Sequence, residues 1–143
     1  MFSKEIMTCL EQKVILMTQI LNITKQIEVQ CKQPEVNLEN LLDTRGDLME
    51  RTKKCDHFIR VLAQQLDDDQ KERIQQILNG SAVDCSEEEQ RAMDLVQQCS
   101  SLFDRAAVLD RAANEAIKQK YEETKRILID LKKSGKEHDL FYR

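Results

Sequence analysis

Residues 86–133 read SEEEQRAMDLVQQCSSLFDRAAVLDRAANEAIKQKYEETKRILIDLKK, without a Pro or a Gly. Apolar residues recur every three or four positions. Met93, Val96, Cys99, Phe103, Ala106, Leu109, Ala113, Ile117, Ile127 and Leu131 fall near one face of a helix, with Lys120 and Thr124 interrupting the row. At 1.5 Å rise per residue this helix is roughly 70 Å long. A domain of this size is about 35 Å across, so the helix must project or lie along equally long partners. Its start is marked by Ser86-Glu87-Glu88-Glu89, a capping-box pattern with Ser at the N-cap and Glu three residues later. Lys132 and Lys133 complement its C-terminal dipole, and Ser134-Gly135 is the expected stop, leaving a tail over 134–143.

Working outward, the spacing predicts three further helices. The first covers about 3–32, with Ser3 as cap, and carries two apolar rows: Ile6, Leu10, Val14, Met17, Leu21, and Leu16, Ile20, Ile23, Ile27. Two rows make a wide stripe, so this helix should touch two others. Pro34 disfavours helical geometry at Gln33 and ends it. The second covers about 37–66 from an Asn37 cap. Its seam is Leu38, Leu41, Arg45, Leu48, Thr52, Cys55, Ile59, Leu62 and Leu66, spaced three and four apart as in knobs-into-holes packing. Asp67-Asp68-Asp69 supplies the cap of a short helix over about 68–79, carrying Ile74, Ile77 and Leu78, and Gly80 suits a left-handed C-terminal cap. The fold class is all-α: an elongated antiparallel helical bundle or coiled coil, three long helices plus a short one, in a single domain.

Composition agrees. Of 143 residues, 34% are charged and 4% aromatic, with one Pro and three Gly. Four Phe and two Tyr cannot fill a wide core, but Leu, Ile, Val, Met and Ala can fill a narrow seam. The net charge of −4 gives no global basic field, so no nucleic-acid partner is expected. The charge is uneven: residues 118–143 carry a net +3 and the first 117 carry −7. The longest apolar run near the start, Val14-Ile15-Leu16-Met17, is too short for a leader's apolar core or a membrane span. No membrane insertion is expected. Cys9, Cys31, Cys55, Cys85 and Cys99 are odd in number, widely spaced and without a C-x-x-C pair, which argues for free thiols in a reducing cytoplasm. With only His57 and His138 besides, a metal site is not expected.

Catalytic patterns are missing: there is no G-x-S-x-G, P-loop, G-x-G-x-x-G or H-E-x-x-H. The expectation is a non-enzyme without cofactors. What remains is a binding surface. After Ala112 the last helix turns small and polar, then regains Ile127, Leu128, Ile129 and Leu131. Two readings stand for that late stripe. Either it packs on the first helix as ordinary core, or it lacks an internal partner and docks an amphipathic helix from another chain. Phe141 and Tyr142, in a short polar tail, read either as a frayed end or as a docking motif.

The pattern resembles the FlgN-type flagellar type III export chaperones. Three places carry the resemblance. Residues Leu38-Glu39-Asn40-Leu41-Leu42-Asp43-Thr44-Arg45-Gly46-Asp47-Leu48-Met49 are similar to that family's second-helix run, a pair of leucines followed by acidic-x-Arg-x-x-Leu. Gly46 departs from it, standing where the family has a helix former. Residues 109–131, with Asp110, Asn114 and Ile117, resemble the family's late helix, and Leu140-Phe141-Tyr142 its aromatic ending. The resemblance implies a cytoplasmic chaperone that binds the C-terminal helix of hook–filament junction (hook-associated) proteins. It would prevent premature assembly and deliver the cargo to the flagellar export gate. Carried over, cargo binding points to Ile117, Tyr121, Ile127, Leu128 and Leu131, and export-gate docking to Phe141 and Tyr142. The alternative is a homo-oligomeric coiled-coil scaffold or adaptor, in its simplest form a homodimer, pairing the same stripes.

Overall fold

The computed structural model describes the backbone of residues 2–142 and the side chains of residues 2–134. Among these described residues four helices follow one another: α1 (Lys4–Cys31), α2 (Glu39–Gln64), α3 (Asp68–Leu78) and α4 (Glu87–Tyr142). Their boundaries follow from local chemistry. Ser3 Oγ accepts from the Ile6 N–H at 3.3 Å. Asp67, the first of the three aspartates, caps α3 by accepting from the Gln70 N–H at 2.8 Å. At the end of α3 the Ser81 N–H bonds to the Gln76 carbonyl and the Gly80 N–H to the Ile77 carbonyl. Gly80 sits at φ +75°. This is a Schellman closure, which a residue with a Cβ adopts only under strain. Asn37 is not the α2 cap: that place falls to Leu38, which makes no side-chain cap bond. Asn37 Oδ1 accepts instead from the Glu39 N–H, at 3.4 Å.

α4 begins on the reciprocal pair expected of Ser86 and Glu89. The Glu89 N–H donates to Ser86 Oγ at 3.2 Å, and the Ser86 N–H donates to Glu89 Oε1 at 3.0 Å. Arg73 of α3 adds an ion pair, its Nε lying 2.7 Å from Glu89 Oε2. The Arg73 hydrogen bond, followed by the backbone N–H of Ser86, lowers the Glu89 carboxyl from 4.5 to about 2. The same guanidinium bonds the Val83 carbonyl at 2.9 Å, so one side chain fastens α3, the connecting loop and the start of α4.

The far end of α4 differs from expectation. The helix does not stop at Ser134-Gly135 but continues to Tyr142. A glycine ends a helix when it turns left-handed and closes back on the last turn, as Gly80 does. Otherwise it costs about 1 kcal/mol relative to Ala and the helix runs on. No Pro follows Gly135 to force an end.

α1 is the central element. It packs against α2 on one side and α4 on the other, while the backbones of α2 and α4 do not meet. Both apolar rows of α1 are used: Ile6, Leu10, Leu16, Met17, Ile20, Leu21 and Ile27 are all buried. The topology is up–down–up. α2 returns antiparallel to α1, so that Ile59 meets Ile6 and Leu10. α4 then runs parallel to α1, with Ala92 near Ile6, and Ala113 near Ile27 and Cys31. The core forms three layers along this axis. α3 closes the base through Ile74 and Ile77. The middle layer holds Leu16, Leu21, Leu48 and Leu102 among its members. The last layer is reduced to Ile27, Cys31 and Ala113. Two threonines enter the core without leaving a polar atom unpaired: Thr24 Oγ1 donates to the Ile20 carbonyl and Thr52 Oγ1 to the Leu48 carbonyl.

Cys31 and Cys99 are buried among apolar neighbours, and all five cysteines are free. Burial pushes the thiols of Cys9, Cys31, Cys55 and Cys99 above their ordinary value, so they behave as small hydrophobes. Among the described residues no helix is long and apolar enough to cross a membrane, and no cluster of His, Cys, Asp or Glu has the makings of a metal site.

Candidate partner-helix surfaces

The end of α1 decides what α4 can bury. Cys31 is level with Ala113, where the chain leaves α1 for α2. Ala116 and Lys120 are still half-covered, and from Tyr121 to Ser134 every side chain is exposed. The helix projects from 121 to 142, about 33 Å past its neighbours.

The seam that α4 presents to α1 does not end there. At 100° per residue, Ala106, Ala113, Ile117, Tyr121, Leu128 and Leu131 share one stripe. Its first two members are buried. Its last four are exposed, from 40% at Ile117 to 67% at Tyr121. Ile127, 52% exposed, stands about 80° to the side of Ile117 and belongs to the edge of the stripe. Four of the five residues named as cargo-binding therefore line up, and the fifth flanks them. Phe141 and Tyr142 have side chains outside the described residues. The charge along this segment suits a solvated helix: Glu122 precedes Arg126 by four residues, the spacing at which opposite charges support each other.

A second surface lies in the middle of the bundle. Because α2 and α4 flank α1 without meeting, they leave an open groove of about 860 Å³ with α1 as its floor. Leu10, Met17, Ile20 and Thr24 form that floor. Met49 on α2 and Phe103 on α4 stand on opposite walls, 47% and 61% exposed. Phe103 was expected on the buried seam. It is not there, because the stripe is wider than one row: Leu102 turns towards α1 and is buried, which leaves Phe103 on the groove side.

Two ion pairs line the groove, and one of them crosses it. Lys13 Nζ lies 2.8 Å from Asp56 Oδ1, joining α1 to α2. Arg45 Nη1 lies 2.8 Å from Asp110 Oδ1, joining α2 to α4. The sequence showed Arg45 on the α2 seam but not what it faces, and nothing in the periodicity of one helix announces a gap between two others.

Comparisons with family models, with curated proteins and with solved structures found no match. The surfaces themselves must carry the functional argument.

Proposed function

We propose that this chain is a non-enzymatic chaperone that captures an amphipathic helix of another protein along the projecting half of α4. The reading follows the resemblance to FlgN-type export chaperones. The cargo would be the C-terminal helix of a hook–filament junction protein, held in the cytoplasm and released at the export gate. One observation supports it above others: the stripe that packs α4 onto α1 continues through Ile117, Tyr121, Leu128 and Leu131 with nothing over it. A cargo helix laid along this stripe extends the bundle by one member. Removing its apolar surface from water supplies the drive, at about 25 cal/mol per Å², offset by the cost of ordering the cargo. Phe141 and Tyr142, just beyond the stripe, would be left for the gate.

The test is a pull-down with a junction-protein C-terminal segment. Leu128→Glu combined with Leu131→Glu should abolish capture and leave thermal unfolding of the free chain unchanged. Tyr142→Ala should lower export while cargo affinity stays the same. Capture that survives the double substitution contradicts the reading. A free chain that sediments as a dimer, and becomes a monomer when Leu128 and Leu131 are changed, points instead to the self-pairing scaffold.

A further inference from the structure

We infer that the groove between α2 and α4 seats a helix of about four turns with acidic edges, supplied by another protein. The inference rests on the chain's being a helix-capturing protein, but it concerns the bundle's middle and not its projection. The length comes from the lining. On α4 it extends from Val96 to Asp110, about 21 Å of helix. An apolar ridge on the occupant would meet Met49 and Phe103, the exposed apolar side chains of the two walls.

Charge selects the edges. Four cations line the groove, Lys13, Arg45, Lys53 and Arg60, against two carboxylates, Asp56 and Asp110. This reverses the sign of a chain whose net charge is −4. Lys53 and Arg60 are exposed and lie seven residues apart on α2, two turns along the same wall, so Glu or Asp at a matching interval can reach both. Arg45 is already aimed across the groove at Asp110, whose side chain is 45% exposed. The Asp110 side of the pair is open to solvent, so an incoming carboxylate can take its place on the guanidinium. A second copy of the chain is the wrong occupant: its projecting segment, residues 121–142, carries five cations and five carboxylates, so it lacks the acidic edges that the groove selects. A small ligand is also a poor fit, because Arg45, Lys53 and Arg60 are strung along the α2 wall over about 22 Å and do not converge on one point.

Two synthetic helical peptides of about 18 residues test this, with one apolar face in common and either Glu or Lys along both edges. Fluorescence anisotropy with the full chain should show the Glu peptide binding about tenfold more tightly than the Lys peptide, and more so at low salt. Lys53→Glu with Arg60→Glu should invert that preference. Phe103→Asp should weaken the Glu peptide with the circular dichroism unchanged. Equal binding of the two peptides, or none by either, overturns the groove. So does Glu-peptide binding that is lost with Leu128→Glu and Leu131→Glu but survives the α2 reversal, a result that leaves the proposed function standing. Junction-protein capture that fails while the groove still takes the Glu peptide removes the function and keeps the groove. A dimer of the free chain that dissociates on the α2 reversal makes the occupant a second copy and also overturns the inference.

Discussion

The two ends of this molecule use the same kind of stripe in opposite ways. At the base, α4 is enclosed by α1 and α3: Ala92 is fully buried beside Ile6 and Ile77, which are equally enclosed. At the other end the same helix, with larger apolar side chains, has nothing over Tyr121, Leu128 or Leu131. An apolar face does not become core because of its own composition. It becomes core where a second element is long enough to reach it, and α1 ends at Cys31. Burial decides stability at the base, whereas the projecting stripe is left exposed and should add little to folding.

That contrast is broken most severely at the base. Ile77→Ala should destabilise the chain by about 2–5 kcal/mol in denaturant unfolding, because it removes a fully buried side chain from the layer that closes the bundle. A loss below 1 kcal/mol would mean that the base is as loosely held as the projection. Next in size is Glu89→Ala, at about 1–2 kcal/mol, since it removes the reciprocal cap and the Arg73 pair together. Its pH dependence carries a sign. With its folded carboxyl held at about 2 against an ordinary 4.5, Glu89 contributes stability above pH 4.5 and loses it as pH falls towards 2. The variant should therefore unfold with a flatter pH profile between 4.5 and 2 than the parent chain. An unchanged profile would show that the cap does not hold in solution.

Smaller effects sharpen the comparison. Gly46 lies inside α2, and a Cβ added there meets nothing within 4 Å. Gly46→Ala should stabilise by about 0.5–1 kcal/mol, raising the midpoint of thermal unfolding. Smallest of all, Leu128→Glu with Leu131→Glu should change unfolding by no more than about 0.5 kcal/mol, the range of exposed positions. A loss as large as that at Ile77 would make the projecting stripe part of the core.

Much of the architecture could be read from particular residues. Ser86 and Glu89, Asp67, and Asn79-Gly80 announce helix ends through chemistry local to a few residues, and the structure uses all of them. The double row on α1 announced a helix between two neighbours. Gly135 was less legible, because a glycine is a stop only when the following residues can close back over it. The groove was not legible at all. Periodicity reports which side of a helix is apolar, while the groove depends on α2 and α4 sitting on the two flanks of α1 without meeting. The late stripe fell in between. Ile117, Tyr121, Leu128 and Leu131 were visibly apolar and helical in spacing, but whether α1 covers them depends on the level at which Cys31 meets α4.

Hydrogen exchange along α4 in the dilute free chain tests the central claim most directly. Amides of residues 92–113, packed on α1, should be strongly protected, and those of residues 121–134 should exchange orders of magnitude faster even though both segments are helical. Equal protection over the two segments would mean that the outer half of α4 is already covered, and that no surface there waits for a partner.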